Sequence, residues 1–168
     1  PMNAPRALDE PRAPRHRVDP RARWYWLIGG AIGFVLTMVA LVVPAIIWEP
    51  IRFWFLLGAA VVGGLELISV LVAPFVRYRV HRWEASGTAV YAKTGWISRE
   101  WKVAPLSRIQ SVEAKRNPLH QMLGLAAIKV TTASAQGDIV IEGLDRELAE
   151  RLVAELTEAT EHTVGDAT

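Results

Sequence analysis

Trp24 to Trp48 reads WYWLIGGAIGFVLTMVALVVPAIIW: 25 consecutive residues without a charge. Pro44 apart, the run is built of residues that continue a helix in an apolar setting. At a rise of about 1.5 Å per residue it reaches ~37 Å, against ~30 Å for the hydrocarbon core of a bilayer. Soluble cores do not use charge-free helical runs of this length. Five residues further on, Phe53–Val76 is a second such run of 24 residues, with Glu66 as its one charged side chain. The expected structure is therefore a transmembrane helical hairpin over 24–76, with helices near 24–48 and 53–76. A cleaved signal peptide is not expected, because the first run is too long and a second follows it.

The link Trp48-Glu49-Pro50-Ile51-Arg52 is too short to hold a domain, so both chain ends lie on one side. Arg6, Arg12, Arg15, Arg17, Arg21 and Arg23 precede the hairpin, Arg77, Arg79 and Arg82 follow it, and the link carries Arg52 alone. The positive-inside bias places both termini in the cytoplasm. A multi-pass protein of the cell (inner or plasma) membrane is expected. Trp24, Tyr25 and Trp26 should mark one interface, and Trp48, Phe53 and Trp54 the other. Arg23, Arg77, Arg79 and Arg82 are the candidate contacts to the membrane surface and its headgroups.

Within the hairpin, Gly29 and Gly33, Ala59 and Gly63, and Ala60 and Gly64 form small-xxx-small pairs that admit close helix packing. The hairpin itself or a second helical protein could use them. Glu66 lies near mid-membrane, with Thr37 and Ser69 as the internal hydroxyls. Three readings stand for this intramembrane polar contact: a protonated carboxyl bonding a hydroxyl or a carbonyl, a contact to a partner helix, or a proton relay, for which the spans hold no further titratable group. Residues 1–23 hold five of the ten prolines and little aliphatic surface, and they are expected to be a disordered cytoplasmic tail. Residues 162–168 are expected to form a second one.

From Arg79 the period shortens to that of strands, near 79–85, 88–93, 96–103, 107–115, 126–132 and 138–142. Ser86-Gly87 and Thr94-Gly95 mark hairpin turns. Pro105 breaks a strand edge, and Asn117-Pro118 opens one helical turn closed by Gly124. Ile109, Leu125, Ile128 and Val130 are expected in the core. A helix over 145–160 carries Leu144, Leu148, Leu152 and Leu156 on one stripe, with Asp145 as its N-cap.

The stretches Pro105-Leu-Ser-Arg-Ile-Gln-Ser-Val112, Asn117-Pro-Leu119, Leu123-Gly-Leu125-Ala, Ile128-Lys-Val-Thr-Thr132-Ala-Ser134 and Glu142-Gly-Leu144 resemble the bacterial pleckstrin-homology-like membrane-flanked domain family. The resemblance spans roughly 24–160. It implies an α+β membrane protein: a two-helix transmembrane hairpin followed, over 77–161, by a cytoplasmic PH-like antiparallel β-barrel capped by a C-terminal helix. It implies interaction and assembly roles at the bacterial membrane more than any reaction.

The residues agree on the absence of chemistry. With no cysteine there is no disulfide, thiolate ligand or thiol nucleophile. His16, His81, His120 and His162 are scattered, and neither HExxH, GxSxG nor a Walker loop occurs. No catalytic residue, metal site, cofactor or small-molecule substrate is expected. A net charge of +2 does not suggest nucleic acid. The expected function is a non-enzymatic, membrane-anchored interaction or scaffold module. Membrane lipids are its expected partners, together with a membrane protein or a second copy of the chain. The alternatives are an anionic-headgroup reader and an accessory subunit of a larger membrane complex.

Overall fold

A computed structural model describes residues 14–133, 135 and 137–165. After a two-residue strand β1 (His16–Arg17), helix α1 runs Ala22–Ile47. A 3₁₀ turn (Glu49–Ile51) leads into α2 (Arg52–Val80). Both helices are long and apolar enough to cross a membrane. They are antiparallel, as their contacts show: Gly30 lies against Val70, and Met38 against Gly63. Arg52 closes the turn, donating from Nε to the Ala45 carbonyl at 3.1 Å and standing 3.6 Å from Glu49. It thereby places a cation on the free carbonyls at the end of α1.

Helix α2 continues beyond Val76 to Val80, so Arg79 is helical and the strand expected from 79 begins at Arg82. The helix stops where the His81 backbone N–H bonds the Arg77 carbonyl and His81 turns extended. Strands β2 (Arg82–Ala85), β3 (Ala89–Gly95) and β4 (Arg99–Pro105) follow, then a 3₁₀ turn (Leu106–Arg108) and β5 (Ile109–Lys115). Helix α3 (Pro118–Leu123), β6 (Leu125–Thr132), β7 (Ile139–Asp145) and α4 (Arg146–Gly165) complete the chain.

The strands form two antiparallel sheets, β1-β2-β3-β4 and β5-β6-β7. The expected barrel is not closed. No ladder joins the sheets among the described residues. Pro105 has no N–H to donate at the end of β4, and the turn behind it redirects the chain. Between β4 and β7 a side chain supplies a link: Lys102 Nζ donates to the Asp138 carbonyl at 3.1 Å. The sheets nevertheless share one core. Val90, Ala92 and Ala104 of the first meet Ile128, Val130, Ile139 and Ile141 of the second, under Ala149, Leu152 and Leu156 of α4. Leu125, Ile128 and Val130 are fully buried as expected, while Ile109 packs at the edge of the core. Leu144 is buried too, but as a residue of β7. The ladder runs on to Asp145, opposite Leu125, and the helix starts one residue later.

Asp145 caps α4, its Oδ2 accepting from the backbone of Glu147 at 3.0 Å and Leu148 at 3.3 Å. Asn117 caps α3 with a reciprocal pair to His120. Gly124 ends α3 at φ +67°, the left-handed conformation that favours glycine.

The segment before α1 differs from the expected tail. Residues 1–13 lie outside the described part, but from Pro14 on the chain is folded. His16 and Arg17 pair with Trp83 and Arg82 at the open edge of β2, Val18 is buried, and the Asp19 N–H bonds the Gly143 carbonyl. Composition misled because so little aliphatic surface is needed here: an unpaired sheet edge and a preformed core supply the rest. At the other end α4 continues through 162 to Gly165, and 166–168 lie outside the described residues.

Gly143, at φ +73°, is where the helical and β parts meet: a Cβ there would stand 2.5 Å from that of Ala22. Gly137 has the same φ with open space around it. Gly143→Ala is expected to cost well over ~1 kcal/mol and Gly137→Ala only the backbone strain, about 1 kcal/mol. Thermal unfolding of the full chain in detergent measures both.

Candidate functional site

The foot of the helical hairpin is seated in the β body, and the contacts there come from residues far apart in sequence. Arg21 holds the first turn of α1. Its guanidinium donates to Asp19 at 3.0 and 3.1 Å, to Asp145 at 2.6 Å and to the Leu123 carbonyl at 3.0 Å. The two carboxylates drive the Arg21 pKa up. Partial burial alone would push the Asp19 and Asp145 carboxyls up. Hydrogen bonds from Arg21, with backbone N–H groups added, outweigh it and hold both below the ordinary 3.8.

One turn on, Tyr25 stacks on His120 at 4.1 Å and accepts from Asn117 Nδ2 at 3.0 Å. Trp26 packs against His81 at 5.0 Å and donates from Nε1 to Glu142 at 3.4 Å. The expected aromatic belt is thus divided. Trp24 faces outward, while Trp26 is buried and Tyr25 half-buried, drawn in because their polar atoms find partners on the β body.

His81 Nδ1 donates to the Arg77 carbonyl at 2.9 Å. His120 Nδ1 accepts from the Asn117 backbone at 3.4 Å, which leaves a buried Nε2–H without a partner among the described residues. Burial lowers the pKa of both rings below 6.5. Glu142 opposes the shift at each, and the Arg77 carbonyl opposes it at His81.

The predicted surface arginines do not form one cluster. Arg23 lies over the Tyr78 ring at 4.9 Å and donates to the Pro20 carbonyl at 3.3 Å. Arg77 is half-buried in the cleft at the hairpin foot. It lines a cavity of about 320 Å³ with Tyr25, Trp26, Asn117, Leu119 and Glu142, and a second of about 170 Å³ with Trp26, Ser69, Ala73 and Trp96. Arg79, two residues further round α2, is exposed. Arg82 belongs to β2, opposite Arg17 on one side and Lys93 on the other.

Inside the hairpin, Thr37 Oγ1 donates to Glu66 Oε1 at 3.1 Å, and Glu66 Oε2 is buried without a partner among the described residues. Of the small residues singled out, Gly63 makes the close approach, to Met38 and Phe34. Gly29, Gly33 and Gly64 have nothing within 4 Å of an added Cβ; Ala59 is half-buried and Ala60 exposed. Gly30, which the four-residue spacing passed over, lies against Val70. Four-residue spacing does not by itself give the face on which the two helices of the hairpin meet.

Among the described residues no group of three or more His, Cys, Asp or Glu side chains is placed to hold a metal ion. The family model of the bacterial PH domain matches residues 26–160. The chain belongs to the bacterial PH domain family. The match begins at Trp26, inside α1, and ends within α4, so the seated helical hairpin is part of what the family describes. PH-like domains are typically non-enzymatic binding modules that engage lipids or proteins. Comparison with curated proteins and with solved structures gave no match.

Two expectations follow. Below pH 6.5 the unfolded chain takes up protons that the buried His81 and His120 rings resist, so stability falls as pH falls. The thermal midpoint should drop between about pH 7.5 and about pH 5.5, and His81→Gln/His120→Gln should flatten that slope. Thr37→Val, which strands the Glu66 carboxyl, should cost about 1–3 kcal/mol, and Thr37→Val/Glu66→Leu should recover most of it in the same thermal assay.

Proposed function

We propose that this PH-like chain is a membrane-anchored interaction module. In this reading α1 and α2 cross the bacterial cell membrane as a hairpin, both chain ends lie in the cytoplasm, and the β body is held at the inner face to bind a membrane protein or a second copy. One observation carries the reading. Apart from Ile97, Trp101, Met122 and Val140, every exposed large apolar side chain among the described residues lies between Trp24 and Phe75. A continuous apolar surface of this extent has no counterpart on a water-soluble monomer, and lipid is the solvent that suits it. The helix feet support the orientation: Arg23, Arg77 and Arg79 stand at the β-body end, whereas Arg52 at the far end is paired with Glu49.

Glu66 has a role within this reading. In a hydrocarbon setting the Thr37 bond gives its carboxyl an internal partner and fixes the rotation of one helix against the other. Gly29, Gly33, Ala60 and Gly64, left on the outer helix surface, are the positions at which another helix would pack.

Reporter fusions at the C-terminus and in the Glu49–Arg52 link test the topology. The C-terminal fusion is expected to report cytoplasm, the link fusion the exterior, and the chain to stay with membranes after an alkaline carbonate wash. Release by the wash, or an exterior C-terminus, overturns the proposal. The whole chain is needed for these experiments, because Val18, Ala22 and Trp26 belong to the core of the β body.

A further inference from the structure

The outer face of the first sheet bears a row of cations that topology alone does not require. Arg17, Arg82 and Lys93 are direct cross-strand partners, so their side chains share a face. Trp101 continues the row opposite Lys93, whose ammonium lies 4.6 Å from the indole. Arg99, opposite Gly95, stands on the same face one step nearer the β3–β4 tip. Like charges directly opposite one another are unfavourable in a sheet. Yet none of these four cations forms an ion pair among the described residues. A surface that gathers cations in this way suits an anionic partner outside the chain.

The tip beyond the row is apolar. Trp96 shares a cavity with Gly30, Ser69, Val70 and Ala73. That cavity, which Trp26, Pro74 and Arg77 also line, extends to Ser69, seven residues inside Val76, about 10 Å by helix rise. Its neighbour Ile97 is 84% exposed. On another side of the hairpin foot, Leu119 of α3 lines a cavity with Tyr25, Gly29 and Gly30. Met122, one turn along α3, is 82% exposed. Ile97 and Met122 are the most exposed large apolar residues described, and each is close in sequence to a residue that lines a cavity with the apolar helices. Lys93 lies two residues before Gly95, about 7 Å back along the strand, comparable to one headgroup layer of a bilayer. An apolar projection with cations one step behind it is the chemistry of an interfacial anchor.

We propose that Ile97 and Met122 are shallow lipid contacts and that the Arg17–Arg82–Lys93 row lies on anionic headgroups, so that the β body is seated on the leaflet as well as tethered to it. This rests on the membrane reading above and adds a fixed orientation and a preference for anionic lipid. The occupant is lipid rather than protein because Trp96 and Leu119, beside the two projections, line cavities with the apolar helices, and because the row behind the tip is cationic.

The chain contains no cysteine, so single-site labelling is unambiguous. The full chain carrying Ile97→Cys, Met122→Cys, Val61→Cys on α2 or Glu113→Cys on β5 is labelled with an environment-sensitive fluorophore. Each variant is reconstituted in phosphatidylcholine vesicles with or without phosphatidylglycerol, containing nitroxide lipids labelled near the headgroup or deep in the acyl chain. The expected result is loss of emission at 97 and 122 with the shallow nitroxide, at 61 with the deep one, and at 113 with neither. Arg82→Ser/Lys93→Ser should reduce the shallow quenching at 97 in anionic vesicles. Deep quenching at 61 with 97 and 122 behaving like 113 overturns this inference and leaves the hairpin reading standing. No quenching at 61 overturns both. Probes at 97 and 122 shielded from aqueous iodide but untouched by either nitroxide would mean a protein contact there, and quenching at 97 unchanged by Arg82→Ser/Lys93→Ser would remove the headgroup row; both results overturn the proposal as stated.

Discussion

The bond system around Arg21 is the constraint on which the remaining architecture depends. One guanidinium joins Asp19 before α1, Asp145 at the end of β7 and the last carbonyl of α3. Arg21 is itself partly exposed, so the ion pairs contribute modestly to stability. Their geometric effect is larger. They bring Ala22 onto Gly143 so closely that a side chain on the latter has no room, and Val18, Ala22 and Trp26 join the core of the sheets. The first helix is consequently an element of the PH-like body, not a tether ahead of it.

That docking changes what the two halves can do to each other. Helix α2 runs into β2 through His81 alone, and α1 is clamped against β7 and α3, so the hairpin leaves the body at two fixed points. A rotation of the helices must disturb the Tyr25–His120 stack, the Trp26–His81 contact and the bond to Glu142. A partner that engages the helices is thereby coupled mechanically to the β body. In the proposed setting the same rigidity decides which loops face the leaflet. Trp96 at the β3–β4 tip and Leu119 of α3 line cavities at the helix feet.

The open sheets also bear on function. A PH-like body that does not close leaves backbone groups and shallow clefts at its seams, and such edges are where a peptide can add as a strand. In this chain β1 covers the β2 edge with two residues, and Lys102 fills part of the seam with β7. The unpaired Nε2–H of His120 and the half-buried Arg77 lie instead around the hairpin foot.

Elements whose cause is local were legible in the residues. The two apolar runs, the helical turn from Asn117-Pro118 to Gly124, the Asp145 cap and the buried Leu125, Ile128 and Val130 each follow from a short pattern, because helix continuation, capping and strand alternation are decided within a few residues of the position concerned. The resemblance to the bacterial PH family rested on such patterns, and the family match bears it out. Whatever depends on partners distant in sequence was not legible. Arg21 and Asp145 stand 124 residues apart, and nothing near either announces the other. Val18 reads as a lone aliphatic in a proline-rich tail until the core that receives it exists. Spacing identified Gly29 and Gly33 as well as Gly63, and only the packed hairpin distinguished the face that meets Met38 from the faces left open. The barrel was expected to close because strand count and turn positions are local, whereas closure is a relation between strands distant in sequence, and β4 and β7 share no ladder. The sequence by itself determined the two apolar helices, most of the strands and the buried residues whose pattern is local. The tertiary structure alone decided where the N-terminal segment goes, which arginines meet, and that helices and sheets form one body, because those outcomes arise from contacts whose free energy exists only after the chain has closed on itself.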